Sequence, residues 1–295
     1  MPRTDAAISA LPPLRDVIAE HGLAARKALG QHFLLDLNLT ARIASALGPM
    51  NGATVIEVGP GPGGLTRALL SAGAQRIFAL EKDRRCREAL EPLITAAQGR
   101  LTVIEADAME VDEASLAQSV GAEARSMRLI GNLPYNISTP LIVKWLRQIA
   151  ADAELYDCLV LTIQKEVADR LTAQPRTKAY GRLSVMCQWL TEPESCFDIA
   201  ARAFTPPPKV TSSVVRLTPL QAPLAPAKWE NMETVTRAAF GQRRKMLRSS
   251  LGSIARPPET EALLAHAGID PRRRAEELDV TEFCALARVI GNRSA

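Results

Sequence analysis

The sequence contains no apolar stretch approaching the roughly 20 residues needed to span a bilayer. Its opening segment, Met1 to Leu14, lacks the basic-then-apolar layout of a secretion signal. A soluble, cytoplasmic protein with no membrane partner is therefore expected. Cysteine is sparse and scattered: Cys86, Cys158, Cys187, Cys196 and Cys284 form no C-x-x-C pair, and His21, His32 and His266 are equally dispersed. Neither a disulfide framework, nor a metal site, nor a nucleophilic thiol is expected, since isolated cysteines behave mostly as small buried hydrophobes. There is no internal repeat.

What is present suits a globular chain. The 295 residues are 47% hydrophobic, long for one average domain and sufficient for a large domain plus a small one. The net charge of +4 conceals an asymmetry. Residues 201 to 295 hold 15 Lys or Arg against 9 Asp or Glu, whereas residues 1 to 200 hold 21 against 23. The excess sits mostly in two clusters, Arg243-Arg244-Lys245 with Arg248, and Arg272-Arg273-Arg274. Such clusters suit phosphate neutralisation, the ordinary alternative being a solvated face.

The order of apolar runs and amphipathic stretches is that of an α/β domain. Strands are expected at Thr54–Val58, Arg76–Leu80, Leu101–Ile104, Arg128–Gly131 and Cys158–Ile163, with helices at Leu65–Ser71, Arg84–Leu93 and Leu141–Ile149. Strands separated by helices imply parallel pairing and right-handed crossovers. Leu183–Leu190 and Ser213–Leu217 read as two late strands, added antiparallel at the sheet edge, with Pro206-Pro207-Pro208 in the loop between them. The proline-spaced stretch Pro219 to Pro226 reads as a linker. Beyond it, Trp229–Phe240, Lys245–Leu251, Glu259–Ala267 and Thr281–Ile290 read as helices. Two domains follow, residues 1–220 and an all-helical 221–295.

Gly59-Pro60-Gly61-Pro62-Gly63-Gly64 follows the first of these strands and satisfies G-x-G-x-x-G through Gly59, Gly61 and Gly64. Glycines there let a ligand approach the backbone and meet free N–H groups. Glu81, at the end of the next strand, can take both hydroxyls of a ribose. The pair fits a nicotinamide dinucleotide or S-adenosylmethionine. Asp107, at the end of the third strand, can accept from an exocyclic adenine amine, and Glu57 adds a further carboxylate beside the glycines. Several carboxylates suit a cationic sulfonium better than a pyrophosphate.

The fourth strand ends at Asn132-Leu133-Pro134-Tyr135. Ligands of open parallel sheets sit outside the carboxyl ends of the strands at the switch point, so this tetrapeptide and Gly59 should border one crevice. Two carbonyl acceptors, the Asn132 side chain and the Leu133 backbone, can hold a planar amine such as adenine N6 and push its nitrogen toward a tetrahedral form. Pro134 fixes the turn, and Tyr135 can stack on a base.

These segments resemble the ribosomal RNA adenine N6-dimethyltransferase family, in its bacterial small-subunit branch. The resemblance runs from about Ala25 onward. It rests on Gly30-Gln31-His32-Phe33-Leu34, Glu57 to Gly61, Asn132 to Ser138, Gln164 to Val167, Lys178 to Ser184, Phe204 to Val210 and Phe240 to Lys245. It implies a Rossmann-like, S-adenosylmethionine-dependent methyltransferase domain with a mostly parallel seven-stranded sheet. The implied cofactor site comprises His32, Leu34, Gly59, Gly61, Glu81, Asp107, Ala108 and Asn132, with a hydrogen-bonding role for His32. The target site would be Asn132, Leu133, Pro134 and Tyr135, with Phe204 packing on a flipped adenine opposite Tyr135. The RNA contacts would be Arg243, Arg244, Lys245, Arg248, Arg272, Arg273 and Arg274. The expected substrate is 16S ribosomal RNA in an immature 30S subunit, at two adjacent adenosines near its 3′ end, acted on by a monomer. The alternatives are a 23S ribosomal RNA adenine methyltransferase, an assembly factor with secondary methylation, and an NAD-dependent dehydrogenase.

Overall fold

The computed structural model describes residues 2–23, 31–119 and 127–292. Nine strands occur among them: β1 (Phe33–Leu34), β2 (Thr54–Val58), β3 (Arg76–Glu81), β4 (Leu101–Glu105), β5 (Met127–Asn132), β6 (Tyr156–Gln164), β7 (Thr191–Ile199), β8 (Phe204–Thr205) and β9 (Ser212–Pro219). Seven form one sheet in the order β4-β3-β2-β5-β6-β9-β7. The first five run parallel, and β9 joins β6 antiparallel. The order reverses at β2, whose neighbours are β3 and β5, so the ends of β2 and β5 are adjacent, as the switch-point argument requires. Val55, Ile56, Ile77, Leu129, Ile130, Val160 and Leu161 are buried, the near-continuous apolar pattern of central strands covered on both faces.

The chain packs as two compact units. One comprises residues 1–144, 154–165 and 194–218, the other residues 145–153, 166–193 and 219–295. In the first, helix Leu37–Ser45 starts at Asp36, whose carboxylate accepts from the N–H groups of Asn38 and Leu39. In the second, Trp189 and Trp229 stack at 6.3 Å, and Phe240 stacks on Phe283 at 5.5 Å while meeting Tyr180 edge-on at 6.0 Å. Helix Val280–Gly291 is closed by a capping box between Asp279 and Glu282.

Three expectations need correction. Leu183–Leu190 is a helix, Arg182–Leu190, and not a strand. Its Val185, Met186, Cys187, Trp189 and Leu190 are all buried, and a short helix apolar on nearly every side has no amphipathic period to betray it. The second late strand is instead β7, directly after it, at the sheet edge where its Pro193 is tolerated. Second, Arg84–Leu93 divides into helices Arg84–Ala89 and Glu91–Ala96, with Pro92 in the first turn of the latter. Third, the stretch from Pro219 to Pro226 is pinned and is no free linker. Leu220 and Leu224 donate to the carbonyls of Leu190 and Trp189, and Trp189 Nε1 donates to Ala225.

Candidate active site

The glycine loop leaves β2 through three residues in the left-handed region, Gly59, Gly61 and Gly63 (φ 69°, 55° and 90°). A Cβ at Gly61 would lie 3.0 Å from the Phe33 ring, and one at Gly63 would lie 2.8 Å from Leu90, so neither position has room for a side chain. The loop is tied to the end of β3: Glu81 Oε2 accepts the Gly61 N–H at 3.1 Å, and Oε1 accepts the Asp83 N–H at 2.8 Å. Burial raises the Glu81 carboxyl above its ordinary value, opposed by those two N–H donors. Asp83 is held low by Arg85, with Gln31 also donating to it, and caps helix Arg84–Ala89.

Glu57 departs from expectation. Its side chain is 1% exposed, and burial pushes the carboxyl up to about 8, with the nearby Glu81 charge adding to the rise. Thr66 lies beside it and pulls the other way, yet neither carboxylate oxygen is aligned for a full hydrogen bond. Glu57 is therefore mostly protonated at neutral pH. It adds no full negative charge to the cleft, and the electrostatic case for a cationic ligand rests on the other carboxylates that line it, Glu81, Asp83 and Asp107.

Asp107 stands where the strand series puts it, but with partners. Oδ1 accepts the Met109 N–H at 2.9 Å, closing a turn, and Oδ2 pairs with Lys82 Nζ at 2.7 Å. The Lys82 ammonium is the main cause holding this carboxyl below its usual range. The Lys82 side chain is two-thirds exposed, so the pair can open toward a ligand.

At the end of β5, Gly131 permits a close approach: a Cβ would sit 2.9 Å from the Val58 carbonyl, so only glycine brings Asn132 this near the glycine loop. The Asn132 amide is oriented from one side. Nδ2 donates to the His32 carbonyl at 2.7 Å, which leaves Oδ1 as the end available to the cleft. Leu133 is buried and donates its N–H to Thr162, while its carbonyl accepts no hydrogen bond among the described residues. Tyr135 is fixed by a 2.6 Å hydrogen bond between its hydroxyl and Ser212 Oγ, and burial raises its phenol. Its ring stacks on His32 at 5.4 Å, and His32 Nδ1 donates to the Pro206 carbonyl at 2.7 Å. The antiparallel pairing of β1 with β8 holds these segments together.

One cleft thus brings together His32, Gly59, Gly61, Glu81, Asp107, Ala108 and the whole of Asn132 to Tyr135. Two expected residues lie elsewhere. Leu34 and Phe204 are opposite each other in the β1–β8 pair, and both side chains are buried in the main core, 6% and 2% exposed. The Phe204 ring so enclosed turns no face to the cleft, while the Leu34 carbonyl lies against Gly64 of the glycine loop. Lys82, Phe33 and Gln31 border the cleft and were missed. The signal for Phe33 and Gln31 was their place beside His32, and for Lys82 its place after Glu81 at a strand end.

The basic clusters are held side by side. Met246 bridges Arg274 in antiparallel fashion, and Leu247 N–H donates to the Arg273 carbonyl at 2.8 Å. Their side chains divide. Arg243 pairs with Glu276 at 2.8 Å and donates to the Thr177 carbonyl, and Arg273 pairs with Glu282 and donates to the Glu277 carbonyl. Arg272 pairs with Asp270, and Arg248 lies 3.9 Å from Glu261. Arg244, Lys245 and Arg274 are exposed and make no ion pair among the described residues.

A Rossmann-like sheet with a glycine loop after β2, carboxylates closing β3 and β4, and an oriented amide closing β5 defines a methyltransferase of the class that acts on amines. The chain belongs to the ribosomal RNA adenine dimethylase family, whose model matches residues 22–292. Among its relatives, Ribosomal RNA small subunit methyltransferase A of Rhodospirillum rubrum is 56% identical over 280 residues, covering 95% of this chain and 93% of that protein. The protein of the same name from Rhizobium etli is 55% identical over 285 residues, covering 97% and 100%. Among solved structures, a dimethyladenosine transferase from Plasmodium falciparum shares the fold with a TM-score of 0.74 at 23% identity, covering 89% of this chain and 98% of that one. The 23S rRNA methyltransferase ErmE gives 0.62 at 27% identity, covering 88% and 99%.

Proposed function

We propose that this protein transfers methyl groups from S-adenosylmethionine to the N6 of two adjacent adenosines near the 3′ end of 16S ribosomal RNA, in the immature small subunit. It does so as a cytoplasmic monomer, with methyl transfer in residues 1–220 and RNA docking in residues 221–295. The observation that carries this reading is the Asn132 amide. Its nitrogen is committed to the His32 carbonyl, so its oxygen is presented to the cleft as an acceptor before any substrate arrives.

The cleft fits the cofactor. Gly59 leaves backbone open where the methionine end would lie, and Glu81 and Asp107 stand at successive strand ends for the ribose and the adenine. The cofactor supplies a methyl group on a sulfonium, ready for attack by a neutral amine. Asn132 Oδ1 and the Leu133 carbonyl accept the two N–H groups of the target N6, which draws its lone pair out of conjugation with the ring. Tyr135, held by Ser212 and His32, supplies a flat face for the base. No general base is required, because the amine loses its proton after attack.

Incubation with labelled S-adenosylmethionine and immature small-subunit particles tests the reading. Methyl incorporation at adenosine N6 is expected, and Asn132→Ala should lower kcat by about 100-fold or more. Full activity in that variant would remove the amine-holding argument. Label appearing in large-subunit RNA instead would favour the chemistry named for ErmE.

A further inference from the structure

Lys144 belongs to helix Ser138–Ala151, which follows the Asn132–Ile137 segment, yet its ammonium is spent on the segment after β4. Nζ donates to the carbonyls of Ala108 at 2.7 Å and Val111 at 2.6 Å and to Glu113 Oε1 at 2.8 Å. An ammonium has three donors, and all three are used. The Glu113 side chain is fully buried and that of Lys144 is 17% exposed, so this is an interior clamp and not a surface ion pair.

The clamp joins the two edges of the cleft. Ala108 borders it beside Asp107, and the 107–111 turn is otherwise closed by its own bonds, from the N–H groups of Met109, Glu110 and Val111 to Asp107. Those bonds give the turn its shape, and the Asp107–Lys82 pair with the bond from the Ala106 N–H to the Glu81 carbonyl tie it to the end of β3. Lys144 ties it to the other edge, from a helix whose head carries Asn132 to Ile137.

We propose that Lys144 is a positioning residue that sets the distance between the Asp107–Ala108 edge and the Asn132–Tyr135 edge, and so fixes the seat of the cofactor's adenosine. The proposal rests on the methyl-donor reading above. Without the ammonium, two carbonyls and a buried carboxylate lose this donor, and the turn relaxes outward to find water.

The test compares Lys144→Met and the double variant Lys144→Met/Glu113→Gln, the latter because the single change takes the lysine charge away from a buried carboxylate. Calorimetry measures Kd for S-adenosylmethionine and for 5′-methylthioadenosine, which carries the adenosine but not the amino-acid end. Thermal unfolding and steady-state kinetics accompany it. In the double variant both ligands should weaken by the same factor, about tenfold for an effect of ~1.4 kcal/mol, with KM raised likewise and kcat at saturation within about twofold. A lower Tm with unchanged Kd for both ligands would make Lys144 merely structural and overturn the proposal, as would a loss confined to S-adenosylmethionine. Wild-type protein that binds neither ligand would sink the methyl-donor reading itself, a result distinct from a wild type that binds and a variant that binds equally well.

Discussion

Glu57 stands two residues before Gly59, and burial decides what it can be. With its carboxyl pushed up to about 8, it enters the native state as a neutral acid. The sign of the consequence is fixed by linkage. The folded state holds this proton where the unfolded chain, titrating near 4.5, has released it. The contribution is fully present below about 4.5 and is lost as pH rises toward 8, by an amount of the order of a few kcal/mol. Glu57→Gln keeps the shape and removes the titration. Its Tm should therefore fall less than that of the wild type between pH 5 and pH 8, and parallel curves would mean Glu57 is ionised throughout. The same contrast governs which site residues could be read from sequence. Asn132 could be nominated from sequence because the role proposed for it lies in its own functional group at a strand end. Phe204 was nominated for its aromatic character, which a sequence shows, whereas the enclosure of its ring is visible only in the structure.

At the scale of elements, the glycine loop shows what spacing can and cannot convey. The run Gly59 to Gly64 announces a sharp turn between strand and helix. It does not announce that Gly61 is pressed on one side by the Phe33 ring and bonded on the other to Glu81. Gly61→Ala adds a left-handed backbone penalty of about 1–2 kcal/mol and pushes Phe33 away. A lower Tm is expected together with weaker S-adenosylmethionine binding, measured on the same sample; unchanged binding would separate this loop from the cofactor. The parallel strands were legible for a related reason: a central strand buried on both faces must be apolar throughout, and β2 is nearly so, Glu57 apart. The same rule misled at residues 183–190, where a helix buried on nearly every side carries the same apolar run. Only the position of Gly181 and Ser184 at its start, with Ser184 Oγ accepting the Gly181 N–H, marks a helix there.

Across the whole chain the basic excess of residues 201–295 is smaller in effect than its count. Arg243 and Arg273 are spent on Glu276 and Glu282 and on backbone carbonyls, so they hold the 243–248 and 271–274 segments in place. Arg244, Lys245 and Arg274 project from that framework with charge to spare, and Arg272 and Arg248 are held only by exposed or long pairs. Sequence shows every one of these residues as equally positive, because pairing depends on acids that lie up to 33 positions away. The division predicts two separable phenotypes. Replacing Arg244, Lys245 and Arg274 together by Gln should leave Tm near the wild-type value while weakening RNA binding, and should lower the slope of log K against log salt by roughly 0.7–0.9 for each phosphate that is no longer neutralised. Arg273→Gln should instead lower Tm, by about 1 kcal/mol or more in stability for a part-buried, doubly bonded guanidinium, and leave the salt slope nearly unchanged at temperatures where the variant is folded. Filter binding of small-subunit RNA at several salt concentrations, beside thermal melts, distinguishes the two. If Arg273→Gln reduced the slope as much as the triple variant, the paired arginines would be open to RNA and the division would be wrong.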